Sequence, residues 1–217
     1  MEPSPASIPI KPNRERLSGA KRRTAILEAS ISLFASRGFR GTTTREIAAA
    51  VAVTEPVLYQ HFETKRALYD AILEARCLEA GTKDVQAIHE AASSDDIRVF
   101  FTQLAGLFLD WYLTDPRYAR LLMYASLENN QLSQMFYDRQ VVVFHERVTG
   151  YLNRQMTSGR VRTMNPLIAA RAFAGMLSHH GLIYSIYCPG ELTGGRDGII
   201  STVIDIFLQG IENGAYE

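Results

Sequence analysis

Cysteine and tryptophan are nearly absent from this 217-residue chain, which holds Cys77, Cys188 and one tryptophan, Trp111. Two cysteines without a CxxC pair cannot build a disulfide framework or a zinc knuckle, so both read as reduced, packed thiols. Net charge is missing too, with 23 Lys and Arg against 23 Asp and Glu. No apolar run approaches the roughly 18 residues a membrane span needs, and the segment through Arg23 has no signal-peptide core. The expected compartment is the cytoplasm. GxSxG, Walker, GxGxxG and HExxH patterns are all lacking, so the chain is read as no enzyme, with no catalytic residue and no cofactor. His179–His180 and Cys188 do not make up for this. Neighbouring residues on a helix point about 100° apart and rarely share one ion, so no metal site is expected.

The zero net charge conceals an asymmetry. Residues 1–66 carry eleven bases (Lys11, Arg14, Arg16, Lys21, Arg22, Arg23, Arg37, Arg40, Arg45, Lys65, Arg66) against six acids (Glu2, Glu15, Glu28, Glu46, Glu55, Glu63). The front is therefore basic by five charges and the remainder acidic by five. One basic end is what an electrostatic footprint on nucleic acid requires.

Helical periodicity and capping residues organise nearly the whole chain. Residues 1–17, with proline, serine and mixed charge and no period, read as a flexible arm. Ser18 caps a helix from Gly19 to Arg37 with Ile26, Ala29, Leu33 and Phe34 on one stripe, and Gly38 suits a left-handed end. Thr43 or Thr44 caps a second helix with Ile47, Ala48 and Val51 inward. Thr54 caps a third, with Pro56 in its first turn, and Thr64 a fourth that reaches beyond Ala80. Its stripe is Leu68, Ile72 and Ala75, or Leu68, Ala71 and Leu78. Helices follow over Val99–Trp111, from Asp115–Pro116, from Gln131 to Ser158, from Asn165–Pro166 to Tyr187, and from Ile199 to Ile211. No strand or repeat emerges. The class is all-α, with about nine helices.

Thr43 to Phe62 reads as two short helices joined by a tight turn, a helix-turn-helix. Leu58 and Phe62, four residues apart, point into a small core, which leaves Tyr59, Gln60, His61 and Lys65 on outer surfaces. Tyr59 and Gln60 can touch bases or backbone; His61 and Lys65 can donate to phosphates. Arg45 is the candidate for bidentate contact to guanine. Glu55 can accept from a cytosine amine, and Pro56 offers apolar surface to a thymine methyl. With the cap positions Thr43, Thr44 and Thr54, and with Val57, these form the candidate interface with double-stranded operator DNA.

Gly38–Phe39, Thr42–Thr43, Ile47–Ala48, Val53–Thr54, Leu58–Tyr59, His61–Phe62, Lys65 and Leu68 resemble the DNA-binding domain of the TetR family of bacterial transcriptional regulators. The resemblance covers about residues 19–80. It implies that Arg45, Glu55, Pro56 and Tyr59 face bases and that Thr44, Val57, His61 and Lys65 lie near phosphates. Two positions depart from the family. The turn, usually Ala-Gly-Val, is Val51-Ala52-Val53, so a positive φ there would strain Ala52 by about 1 kcal/mol. Val57 replaces a common hydroxyl, which removes one way of reaching a phosphate.

The resemblance further implies a head at 18–64 and a helical domain at 65–217 that binds a small effector and forms a homodimer through its last two helices. Phe101, Phe108, Trp111, Tyr112, Tyr124, Phe144 and Phe173 are the pocket candidates, within a wider set including Phe100, Tyr118, Phe136, Tyr137 and the non-aromatic Met123. Aromatics at helical spacing are equally core residues. No cluster of charges interrupts the apolar stripes, which favours a largely apolar effector. Ile199, Ile200, Val203, Ile204, Phe207, Leu208 and Ile211, with Leu182 and Ile186, form an apolar surface that either a four-helix dimer interface covers or the chain's own core absorbs. The expected function is a ligand-released repressor. The alternative is a helical ligand-binding or interaction protein of this fold without operator binding.

Overall fold

A computed structural model describes residues 19–72, 74–75, 94, 96–128 and 131–212. The expected N-terminal arm, the Ser18 cap, Cys77 and the far end of the fourth helix lie outside the described residues. Among the described residues nine helices follow one another: α1 (Gly19–Arg37), α2 (Thr44–Ala50), α3 (Glu55–His61), α4 (65–72), α5 (Ile97–Thr114), α6 (Pro116–Leu127), α7 (131–157), α8 (Pro166–Leu182) and α9 (Gly195–Ile211). Helix α7 widens to π-helical geometry over Tyr137–Val142, and α8 continues as a π-helical turn over Ile183–Tyr187. Among the described residues the only β-type pairing is an isolated bridge, Val161 to Glu212.

Local chemistry sets most of the ends. Thr43 and Glu46 form a reciprocal capping box, in which the Glu46 carboxylate accepts from the Thr43 N–H at 2.9 Å and the Glu46 N–H donates to the Thr43 hydroxyl at 3.2 Å. Two of the orphan donors at the start of α2 are thereby satisfied. These bonds from Thr43 hold the Glu46 carboxyl below its ordinary pKa. Asp115 and Asn165 cap α6 and α8, each followed by proline, whose missing N–H costs nothing there. Thr54 occupies the N-cap of α3, yet its side chain makes no capping bond. The last helix begins at Gly195, four residues before the expected Ile199, after Gly194 at φ +85°.

Two cores are distinct. The first joins Ile26, Phe34, Ile47, Leu58, Phe62, Leu68 and Tyr69 and also takes in Leu121 and Ala125 from α6. In α4, Leu68 and Ile72 are buried, while Ala75 beyond it is exposed. The second core joins α5, α7, α8 and α9 around Phe101, Phe173 and Phe207, whose rings meet at centroid distances of 4.8–5.0 Å. All seven apolar residues anticipated on α9 point into this core and are at most 6 % exposed. They seal the chain's own interior, and their surplus therefore gives no argument for a dimer. The outward residues of the last two helices are different ones, among them Ile168 and Ala172 on α8, and Gly198, Thr202 and Ile206 on α9.

Candidate DNA interface and effector cavity

Helices α2 and α3 are held at a fixed angle by their apolar sides and by polar bonds between their first turns. Ile47, Ala48 and Leu58 are buried. The Thr44 hydroxyl donates to the Glu55 carboxylate at 2.6 Å, and the Tyr59 hydroxyl donates to Thr44 at 3.3 Å. The turn between the helices is a Schellman motif: Val53 N–H bonds to Ala48 O at 2.9 Å and Ala52 N–H to Ala49 O at 3.1 Å. That geometry puts Ala52 at φ +53°, the only positive φ among the described non-glycine residues.

The candidate DNA residues separate into three groups. Arg45, Pro56, Tyr59 and Gln60 are exposed, and Arg45 makes no hydrogen bond or ion pair among the described residues. Thr43 and Thr54 are also exposed, as caps, while Thr44, Glu55, Val57 and His61 are half-buried beside them. Lys65 is engaged elsewhere. Its ammonium donates to Phe39 O and Thr42 O, both at 2.8 Å, and sits 4.2 Å over the Phe39 ring. One N–H of three is left for a phosphate.

A cavity of about 570 Å³ opens between α5, α6, α7 and α8. Phe108, Trp111, Tyr112 and Phe144 from the candidate set line it, joined by Leu122, Met123, Phe136 and Tyr137. Gly181 gives Tyr112 its place, because a methyl there would lie 2.4 Å from the ring. Burial pushes the Tyr112 phenol up to about 12. Phe101 and Phe173 are not in this wall; they are fully buried on the far sides of α5 and α8. Tyr124 is not in it either. Its ring packs on Gly38, whose φ of +71° and missing side chain let α6 come close to the end of α1.

Polar lining residues, His145 and Arg171 among them, were passed over in the sequence analysis. Burial, and then the Arg171 guanidinium, lower the His145 pKa below its ordinary value. A signal for Arg171 existed: it is the one charged residue in the Pro166–Leu182 helix.

Residues 26–72 match the family described as bacterial regulatory proteins, tetR family. Residues 112–209 match the AefR-like transcriptional repressor C-terminal domain. The nucleoid occlusion factor SlmA of Marinobacter nauticus is 30 % identical over 141 residues, 65 % of this chain and 69 % of its own length. The chain belongs to the TetR family. Its likeness to the transcriptional repressor KstR2 of Rhodococcus jostii is more local, 46 % over 52 residues. That match spans 24 % of this chain and 26 % of KstR2. A solved structure of AibR in complex with isovaleryl coenzyme A and operator DNA superposes with a TM-score of 0.62 at 21 % identity, covering 88 % of this chain and 98 % of AibR. This TetR-family member thus shares the all-α fold, the N-terminal helix-turn-helix and the C-terminal helical domain of its relatives. Among its described residues no helix is long and apolar enough to cross a membrane.

Proposed function

We propose that this TetR-family protein is a homodimeric repressor that reads an operator through α2 and α3 and leaves it when a small, largely apolar molecule enters the cavity. The observation that carries the reading is the double placement of α6. Leu121 and Ala125 belong to the head core, while Leu122, Met123 and Ser126 line the cavity. Polar bonds add to the coupling: Arg120 donates to Ala35 O at 2.9 Å, and the Glu128 carboxylate accepts from the Arg40 N–H at 3.3 Å. A ligand that pushes on α6 moves the head with it.

Arg45 and Tyr59 would contact bases together with Glu55 and Pro56, while Thr44, His61 and the remaining N–H of Lys65 would serve phosphates. Two heads reading successive major grooves stand about 34–36 Å apart. An effector acts by preferring a different separation, and only that preference can shift the equilibrium. The dimer face is assigned to the outward side of α8 and α9, where Ile168 and Ile206 are 66 % and 59 % exposed. AibR, solved with both a ligand and operator DNA, is a precedent within the fold. A regulator of this kind works in the cytoplasm. The competing reading is a ligand-binding protein of this fold that has lost its operator.

Selection of bound DNA from a random pool tests the proposal. A palindromic consensus is expected, and Arg45→Ala should reduce discrimination at one base pair by about 1–3 kcal/mol. Recovery of no consensus, with equal loss on selected and scrambled DNA for Arg45→Ala, would leave the competing reading.

A further inference from the structure

The cavity is uneven in its chemistry. Aromatic rings from α5 and α7 line much of the wall beside aliphatic side chains, whereas His145 and Arg171 face it from α7 and α8. Among the described residues Arg171 is the only formally charged one in the lining, and no carboxylate of theirs faces it there. It forms no hydrogen bond or ion pair among the described residues. Two other arginines of this domain are held otherwise, Arg117 by Asp115 and Glu28, and Arg196 by Asp110 and Asp197. A guanidinium with its donors unclaimed, beside an apolar chamber, is a planar fork that fits a carboxylate with two parallel bonds. The His145 imidazole, whose pKa burial and then the same guanidinium lower, has an N–H to donate beside it.

We infer that the effector is a monocarboxylate with an aromatic or branched apolar body, its carboxylate bound by Arg171 and its body held by Phe108, Trp111 and Phe144. The inference rests on the reading of this cavity as the effector site. Size agrees, since about 570 Å³ falls within the range of sites for small organic molecules. Charge agrees as well: one cationic residue offsets one carboxylate, whereas several phosphates in the chamber would remain largely uncompensated.

The chain carries its own reporter. Trp111 is its single tryptophan and lines the cavity, so its fluorescence follows occupancy. The full-length protein is titrated with phenylbutyrate, phenylbutyramide and phenylbutylamine, which share a body and differ in head charge. The acid is expected to bind about tenfold or more tighter than the amide, the size of one charge-assisted hydrogen bond, with the amine weakest. Arg171→Gln should abolish the preference for the acid and leave the amide within about twofold, while Arg171→Lys should keep part of it. Equal binding of acid and amide by the wild type overturns the carboxylate and leaves the cavity in place. A preference that survives Arg171→Gln overturns the role of Arg171, and so does a weakened dimer in sedimentation without loss of the preference. No change in Trp111 fluorescence from any of the three at millimolar concentration overturns both this inference and the effector cavity. Arg171-dependent binding of the acid that fails to release the selected operator overturns the repressor reading alone.

Discussion

Thr44 and Glu55, eleven residues apart, join the first turns of the two helices proposed to face DNA, the threonine hydroxyl lying 2.6 Å from the carboxylate it donates to. The same hydroxyl accepts from Tyr59. Thr44→Val keeps the shape and removes both bonds. It should lower stability by about 0.5–1.5 kcal/mol, seen as an earlier urea midpoint at unchanged slope. An unaltered midpoint would mean that water replaces the network at no cost.

Ala52 occupies the C′ position of a Schellman motif, where glycine is usual. The left-handed conformation costs a residue with a Cβ about 1–2 kcal/mol, and glycine offsets part of that gain through unfolded-state entropy. Ala52→Gly is expected to stabilise the protein by about 0.5–1 kcal/mol, measured by urea denaturation. Loss of stability would show that the turn holds the methyl without strain.

Lys65 clamps the start of α4 to the carbonyls of Phe39 and Thr42. Lys65→Ala should therefore cost roughly 1–3 kcal/mol of stability and, through loss of the N–H proposed to serve a phosphate, lower the salt slope of DNA binding by about one. An unchanged salt slope would leave Lys65 a structural clamp alone.

His145 has a lowered pKa, first from burial and then from Arg171. The unfolded chain takes up its proton near pH 6.5, before the folded protein does. Stability is thus complete above that pH and falls as the pH drops through the unfolded value toward the folded one. His145→Gln should flatten the decline in melting temperature on acidification over this window. A mutant profile parallel to that of the wild type would assign the decline to other groups.

The sequence by itself determined the helices and most of their ends. The signals at Gly38, Thr43–Glu46, Asp115–Pro116 and Asn165–Pro166 act over three or four residues, a range the sequence displays directly. The head was partly legible for the same reason, since Leu58 faces inward by helical spacing, whereas Phe62 enters the core from the extended residue that ends α3. Even the Ala52 turn was written there, as an alanine at a position whose local bonding demands positive φ. The tertiary structure decided what depends on how each helix is rotated about its axis. Phe101 and Phe108 share α5, yet one packs on Phe173 and Phe207 while the other lines the cavity. It also decided what Lys65 reaches, 23 and 26 residues back along the chain, and that the apolar face of α9 turns inward. Burial of the largest apolar area fixes these rotations collectively, and no single segment carries that information.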